Sequence, residues 1–391
     1  MFRRTTPLAW KNLTASKKQM ALACGGIGFA VVLMFVQTGF RNALLDSPAQ
    51  IVELFHADLF LLSRARNTLG SEERLDRSLL DRAAAVDQVK SVHPLYVERM
   101  LARVRVDENR SRAIRVIGIP DAAGIIADPY TTAQLNRLQR PRTALVDRRS
   151  KSFYGFELDD PQRLAEQVVE LAGQRIELVG LTQIGTDFAH DGTLVVRSDE
   201  IARYFPARNP RGNPLDRVDL GLVQLAPGAD VRMVQRVLSE LAPESIDVFT
   251  KAELIGREKR FWGQATPIGM IFMVGTVMGW IVGTIICYQI LHTEISYHLP
   301  EFATLKAMGY SNAYFMRVVL AQSLYLTLLG FVPGLLIAWG LFAGLSEMTG
   351  LVMLLTLPRI LLVLVLTAVM CLISGLIAVR RLWAADPASL F

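Results

Sequence analysis

The chain has 391 residues, 51% of them hydrophobic, and a formal net charge of +6. The positive excess does not describe a nucleic-acid binder, because the basic residues form no stripe interleaved with aromatic ones. The three cysteines, Cys24, Cys287 and Cys371, all fall in apolar runs, so no disulfide framework supports the rest of the chain.

Residues 1–19 carry Arg3, Arg4, Lys11, Lys17 and Lys18 and no acid. Trp10 and Leu13 among those cations read as a short amphipathic helix, Pro7 to Leu13, lying at the membrane surface. Residues 20–40 form the first apolar run, and a hydrocarbon core needs roughly 20 helical residues. The run is long for a signal-peptide core, and Gly39-Phe40-Arg41-Asn42 offers no small-residue cleavage site, so a retained helix is expected. Residues 41–265 are charged throughout and free of cysteine, which calls for a large domain held by a packed core. Three further runs, 266–290, 318–345 and 358–379, complete four spans in a 1+3 arrangement. A loop at 291–317, a short loop at 346–357 and a tail at 380–391 connect and end them. Short cytoplasmic segments hold the Lys/Arg excess. That rule puts the N-terminus, the 291–317 loop and the tail with Arg380 and Arg381 inside. The large domain and the Lys/Arg-free 346–357 loop are then outside, as in a multi-pass inner-membrane protein.

Within the large domain, residues 51–63 read as a strand, 75–86 as a helix, and 89–106 and 113–119 as strands. Residues 218–225 read as a strand, 231–241 as a helix and 246–250 as a strand. Two β-α-β units parted by an insert predict a split, ferredoxin-like α+β core. A porter-like lobe is expected from 50–119 and 215–255, with an inserted lobe at 120–214. No catalytic constellation is visible. His56, His93 and His190 lack metal-ligand spacing. Asp187-x-x-His190-Asp191 reads as a polar turn before a strand at 193–197. Ser63, Ser71 and Ser78 show no nucleophile elbow. Glu72-Glu73 and Asp159-Asp160 read as solvated faces. No catalytic, cofactor or metal residue is assigned.

In the second span, Gly275, Gly279 and Gly283 recur every four residues and mark one helix face as a close-packing seam, within the chain or across a dimer. Gly330/Gly334 and Gly340/Gly344 repeat the spacing in the third span, where Pro333 is expected to introduce a kink. No span carries an acid or base near its centre, which argues against a proton- or ion-driven pump. Matched broken helices are also missing, which argues against the common secondary-transporter folds.

The sharpest local signal lies between the second and third spans. Pro300 suits a helix start, Glu301 the positive end of its dipole, and Gly309 its stop. Phe302, Leu305 and Met308 recur every three residues and predict one apolar face. A short amphipathic helix is expected there, either resting among lipid headgroups or docking into a groove of a soluble partner.

Glu301-x-Ala303-x-Leu305-Lys306-Ala307-x-Gly309 resembles the loop after the second span in the FtsX/MacB-like permeases of ABC transporters. The ending Arg380-Arg381-x-x-x-x-Asp386-Pro387-Ala388-x-Leu390 is similar to theirs. Tyr288-Gln289-Ile-Leu-x-Thr293-x-Ile-Ser-x-His298-Leu-Pro300-Glu301 looks closer still to the DevC subfamily, which includes permeases of a glycolipid exporter. The resemblance implies a MacB-like membrane protein with one span, a large two-lobed extracytoplasmic domain and three spans. It also implies a coupling helix onto an ATPase through Glu301, Phe302, Leu305, Lys306, Met308 and Gly309. The sequence holds no G-x-x-x-x-G-K-[ST], so it has no Walker loop, and the segment before the first span is too short for a fused ATPase. ATP is then bound by a separate DevA-like subunit. A DevB-like membrane-fusion adaptor, a TolC-like outer-membrane channel and a homodimer of the chain are implied as partners. The expected role is a non-catalytic permease of a tripartite exporter. An FtsX-like signalling permease controlling a cell-wall hydrolase, or Lol-like lipoprotein extraction, is the alternative.

Overall fold

The structure is a computed structural model and describes residue 10 and residues 17–107, 110–120, 124–186, 190–349, 351 and 353–384. The helix expected at Pro7 to Leu13 (Trp10 apart), Asp187 and the Asp386-Pro387-Ala388-x-Leu390 ending lie outside the described residues. The chain forms two compact units. One comprises Met1–Asn42, Ile268–Leu345 and Met353–Phe391, the other Ala43–Pro267 and Ser346–Val352.

Helix α1 runs over Lys17–Glu53, well past the expected end of the first span. In the large unit there follow β1 (Leu59–Ser63), β2 (Leu75–Asp76), α2 (Ser78–Ala84), β3 (Val89–Glu98), β4 (Arg103–Val106), β5 (Arg112–Ala113) and β6 (Arg115–Ile119). Next come α3 (Pro129–Gln134), β7 (Thr143–Asp147), α4 (Pro161–Glu166), β8 (Val169–Leu171), β9 (Gln174–Thr182), β10 (Thr193–Arg197) and α5 (Glu200–Tyr204). The unit ends with β11 (Arg217–Val218), β12 (Leu220–Leu225), α6 (Val231–Leu241), β13 (Ile246–Thr250) and α7 (Lys251–Arg260).

The order β1-α2-β3 and β12-α6-β13 gives two β-α-β units. Their four strands lie side by side as β13-β1-β12-β3, all antiparallel, which is the ferredoxin-like arrangement. The sheet does not stop there. It continues β3-β6-β10-β7-β9-β8-β4-β5, so eleven strands form one hydrogen-bonded sheet. Residues 103–119, read from sequence as part of the porter-like lobe, belong by pairing to this extension. β6 bridges β3 and β10, and β4 bonds β5 and β8. The segment inserted in the split core therefore runs from the end of β3 to β12.

Both faces of the sheet are covered. Leu59, Leu61 and Val223 share a core with Leu80 of α2 and with Val234 and Leu238 of α6. Phe60, Leu62 and Leu222 point the other way, into a core with Ile51 and Val52 at the end of α1, Phe55 just after it and Leu254 of α7. A strand buried on both sides shows a continuous apolar run rather than alternation. This explains Leu59-Phe-Leu-Leu62. It also explains why residues 51–63 looked like one strand, although Ile51–Glu53 finish a helix.

A fully desolvated ionic cluster ties β3, β12 and the loop after β1 together. Arg208 Nη1 donates to Glu98 at 2.8 Å and its Nη2 to Asp219 at 2.6 Å, and neither member of either pair exposes its side chain. The Val97 amide donates to Asp219 at 2.8 Å, and Arg66 donates to the Asp219 carbonyl at 2.8 Å. Glu258 of α7 accepts from Thr68 Oγ1 at 2.7 Å and from the Leu69 amide at 2.8 Å. Burial pushes the Glu258 carboxyl up, and those two bonds pull it down. Burial lowers the Arg66 guanidinium, and Asp219 and Glu258 offset that. Charges buried to this degree need partners on every side, and this cluster is the main polar feature the sequence did not announce.

In the other unit, α8 (Pro267–Tyr297), α10 (Asn312–Thr349) and α11 (Leu357–Ala384) join α1 as four helices long and apolar enough to cross a membrane. The short α9 (Leu299–Ala307) lies between α8 and α10. Helix α10 continues through Pro333. Arg359, near the start of α11, packs over the Phe342 ring at 5.8 Å.

Candidate coupling site and helix seams

Helix α9 is built to hold one shape. Pro300 is its second residue, not its first, because Leu299 already opens the helix after His298. Glu301 Oε2 reaches back to His298 Nδ1 at 3.1 Å, and His298 Nε2 lies 3.5 Å from Glu294 Oε1. Residues 294, 298 and 301 thus line one helical face that crosses from α8 into α9. At the far end Gly309 has φ +91°. Its amide donates to Lys306 at 3.0 Å and the Tyr310 amide to Leu305 at 3.2 Å. This pair of bonds is the Schellman stop, in which the left-handed position suits glycine.

The expected apolar face divides. Phe302 is buried and meets Phe315 of α10 edge-on at 5.7 Å, so it anchors the helix to its own chain and is not on the outer surface. Leu305 and Lys306 are half-buried, and Glu301 and Gly309 are exposed. Met308 is 63% exposed, and Tyr297 before the helix and Tyr310 after it are exposed at 71% and 45%. The three-residue spacing placed Phe302 and Met308 on one face, yet the wrap of α9 against α10 turns Phe302 inward. The sequence reading missed His298, Glu294 and Phe315. The spacing of residues 294, 298 and 301 was the signal that could have found the first two.

The glycine seam lies within the chain. A Cβ on Gly275 would meet the Gln37 side chain at 2.6 Å, one on Gly279 Leu33 at 2.9 Å, and one on Gly283 Ala30 at 2.7 Å. Gly275 and Gly279 therefore press α8 against α1, while Gly283 sits against both α1 and α11, where the Met370 side chain lies nearer still. Gly334 does the same for α10, where a Cβ would lie 2.7 Å from Val31 and 3.0 Å from the Gly28 carbonyl. Gly340 and Gly344 face open space. Spacing alone could not separate these pairs.

Among the described residues no group of three or more His, Cys, Asp or Glu side chains is arranged to hold a metal ion. His190 instead lies 3.4 Å from Arg115.

Residues 266–387 match the family described as FtsX-like permease C-terminal. The comparison with curated proteins finds no match. Two solved structures are similar to the chain at low identity. The periplasmic region of MacB from Actinobacillus actinomycetemcomitans is 12% identical with a TM-score of 0.35, over 52% of this chain and 92% of that one. The extracellular domain of the noncanonic ABC-type transporter YknZ from Gram-positive bacteria is 15% identical with a TM-score of 0.31, over 50% of this chain and 99% of that one. The last third of the chain is thus similar to the FtsX-like permease C-terminal family, and among the described residues the chain has four helices long and apolar enough to cross a membrane, with a large α+β domain between the first two in sequence.

Proposed function

We propose that the chain is the transmembrane subunit of a tripartite ABC exporter, driven by a separate DevA-like ATPase and serving a DevB-like adaptor and a TolC-like outer channel. The observation that carries this reading is α9: a nine-residue helix fixed at both ends, with Tyr297, Met308 and Tyr310 exposed in the residues that flank it. A rigid apolar knob between two apolar helices suits docking into an ATPase groove. In this reading Glu301, Leu305, Lys306, Met308 and Gly309 form the ATPase-facing surface, and Phe302 transmits motion to α10. Both termini and α9 are cytoplasmic, and residues 43–267 are periplasmic. Two copies of the chain work as a pair, and closure of two ATPase subunits moves α8 and α10. The large domain then expels a substrate taken from the periplasm or outer leaflet. The DevC-like loop makes a glycolipid the first substrate to test.

A mild-detergent pull-down of the tagged chain with mass spectrometry tests this. Co-purification of an ABC ATPase and a membrane-fusion adaptor is the expected result. An ATPase with a cell-wall hydrolase and no adaptor would replace it with the signalling reading.

A further inference from the structure

At the end of the bundle where α1 begins and α8 finishes, a groove of about 480 Å³ lies between these two helices. Its floor owes its shape to two adjacent glycines of α1. Gly26 lets Ile286 approach, since a Cβ there would lie 2.7 Å from it, while a Cβ on Gly25 would meet nothing within 4 Å. The groove is two-ended in character. Met20, Leu22 and Ile290 make it apolar along its length, and Gln289, Thr293 and Glu294 make one end polar. Glu294 is 8% exposed, and its Oε1 makes no hydrogen bond, His298 Nε2 lying 3.5 Å away. Lys17 and Lys18 are exposed and immediately precede Gln19, which lines the same groove.

An acid placed on a membrane helix is costly and marks a site with a partner to find. The groove offers that partner one kind of chemistry: an apolar chain, a cation with N–H donors for Glu294, and an anion near the two lysines. We propose that the groove binds one phospholipid with a primary ammonium headgroup, of the phosphatidylethanolamine type. Its acyl chain lies over Gly25, its ammonium donates to Glu294, and its phosphate sits toward Lys17 and Lys18. A helix from a second copy laid in the same place would cover the carboxylate with apolar side chains and bring it no donor beyond His298. The volume falls within the range of about 300–1,000 Å³ usual for small-molecule sites. His298, which approaches Glu294, also holds Glu301 of α9, so the headgroup lies one side chain from the coupling helix. The proposal does not rest on the export reading.

The full chain is purified in mild detergent and exposed to equimolar phosphatidylethanolamine, phosphatidylcholine and phosphatidylglycerol, and the retained lipid is read by native mass spectrometry. The expected result is one phosphatidylethanolamine held in preference to the other two. Gly25→Leu fills open space without a clash, so the variant keeps the unfolding temperature of the parent and loses retention by about tenfold, the equivalent of about 1.4 kcal/mol. Glu294→Gln abolishes the preference over phosphatidylcholine, which has the charge without the N–H donors. Equal retention of the three lipids by the parent, or undiminished retention by Gly25→Leu, overturns the proposal. So does a photo-cross-linker at Leu22, exposed on the groove, that captures a second copy of the chain instead of lipid.

Discussion

Asp219→Ala is the substitution that probes the large domain most directly. Its carboxylate accepts from Arg208 at 2.6 Å and from the Val97 amide at 2.8 Å, with no side-chain exposure. Removing it leaves Arg208 with one carboxylate, Glu98, beside the Val97 and Arg217 carbonyls, and takes the nearest carboxylate from Arg66, 3.5 Å away. Breaking one side of a fully buried ion pair costs about 3–5 kcal/mol. An orphaned buried amide alone costs about 1–3 kcal/mol. The two losses share one site and do not add, so about 4 kcal/mol is expected. Each kcal/mol shifts the midpoint of a domain of about 150–250 residues by about 2–4 °C, giving a fall on the order of 10 °C. Scanning calorimetry of the full chain in detergent reads the shift, and hydrogen exchange in β3 and β12 assigns it to this unit. Asp219→Asn retains an acceptor for Val97 while removing the charge, so it separates the amide from the ionic contribution. Asp76→Ala is the control. It removes a pair with Arg217 at 2.6 Å whose side chains are 64% and 42% exposed, worth at most about 1 kcal/mol. If Asp219→Ala moves the midpoint no further than Asp76→Ala, the cluster does not hold β3 to β12 as argued.

Glu253 closes the capping box of α7 with Thr250. The Thr250 amide, then Arg232 and Gln235, hold its carboxyl down from 4.5 to about 2. A folded-state value below the unfolded one stabilises above the unfolded value and is lost as pH falls through the folded one. Unfolding temperature followed from pH 4.5 down to about 2 should therefore drop less steeply in Glu253→Gln than in the parent. Gly334→Leu should force α10 off α1, costing about 1–3 kcal/mol or more, whereas Gly340→Leu enters open space and should leave thermal stability unchanged. Gly334→Leu matching Gly340→Leu would refute the seam. Met308→Glu should abolish ATPase binding in a pull-down with the unfolding temperature unchanged. Phe302→Ala should instead keep the docking surface, lose about 3 kcal/mol of local packing and uncouple stimulated ATP hydrolysis. Equal docking defects in both would contradict the inward placement of Phe302. Leu305→Glu should behave as Met308→Glu does in the same assays.

Much of this fold was legible because it rests on patterns with one physical reading. Four apolar runs of membrane length announce themselves, and Val231–Leu241 and Ile246–Thr250 appear with the limits expected of them. The ferredoxin-like order followed from two β-α-β units. What escaped was whatever depended on residues far apart in sequence. The apolar run through Leu59–Ser63 is continuous because both faces are buried, and continuity erases the period that distinguishes a strand from the helix end before it. The pairing of β6 with both β3 and β10 has no local signature. Arg66, Arg208 and Asp219 are ordinary surface residue types, and their burial depends on an arginine meeting carboxylates more than ten and more than a hundred positions away. In the loop, Pro300, Glu301 and Gly309 were legible as helix punctuation, but which side of α9 faces α10 is a packing outcome.

That packing outcome bears on how a nine-residue helix could carry force. A helix this short is not stable by its own hydrogen bonds, so as an isolated knob it would unwind under load. Its stability must be lent by neighbours, and the structure shows three: the Glu294–His298–Glu301 chain at its start, Phe302 against Phe315 along its side, and the Gly309 stop at its end. The first two of these neighbours also define a route. On the proposed reading, a push on Met308 or Tyr310 would reach α10 through the Phe302–Phe315 contact, and a push at the helix start would reach α8 through His298 and Glu294. An apolar face kept wholly outward, as the sequence spacing suggested, would bind a partner more strongly. It would leave nothing to connect that partner to the membrane helices. Turning one of three apolar residues inward gives up contact area for transmission, which is the balance expected of a coupling element rather than of a docking patch.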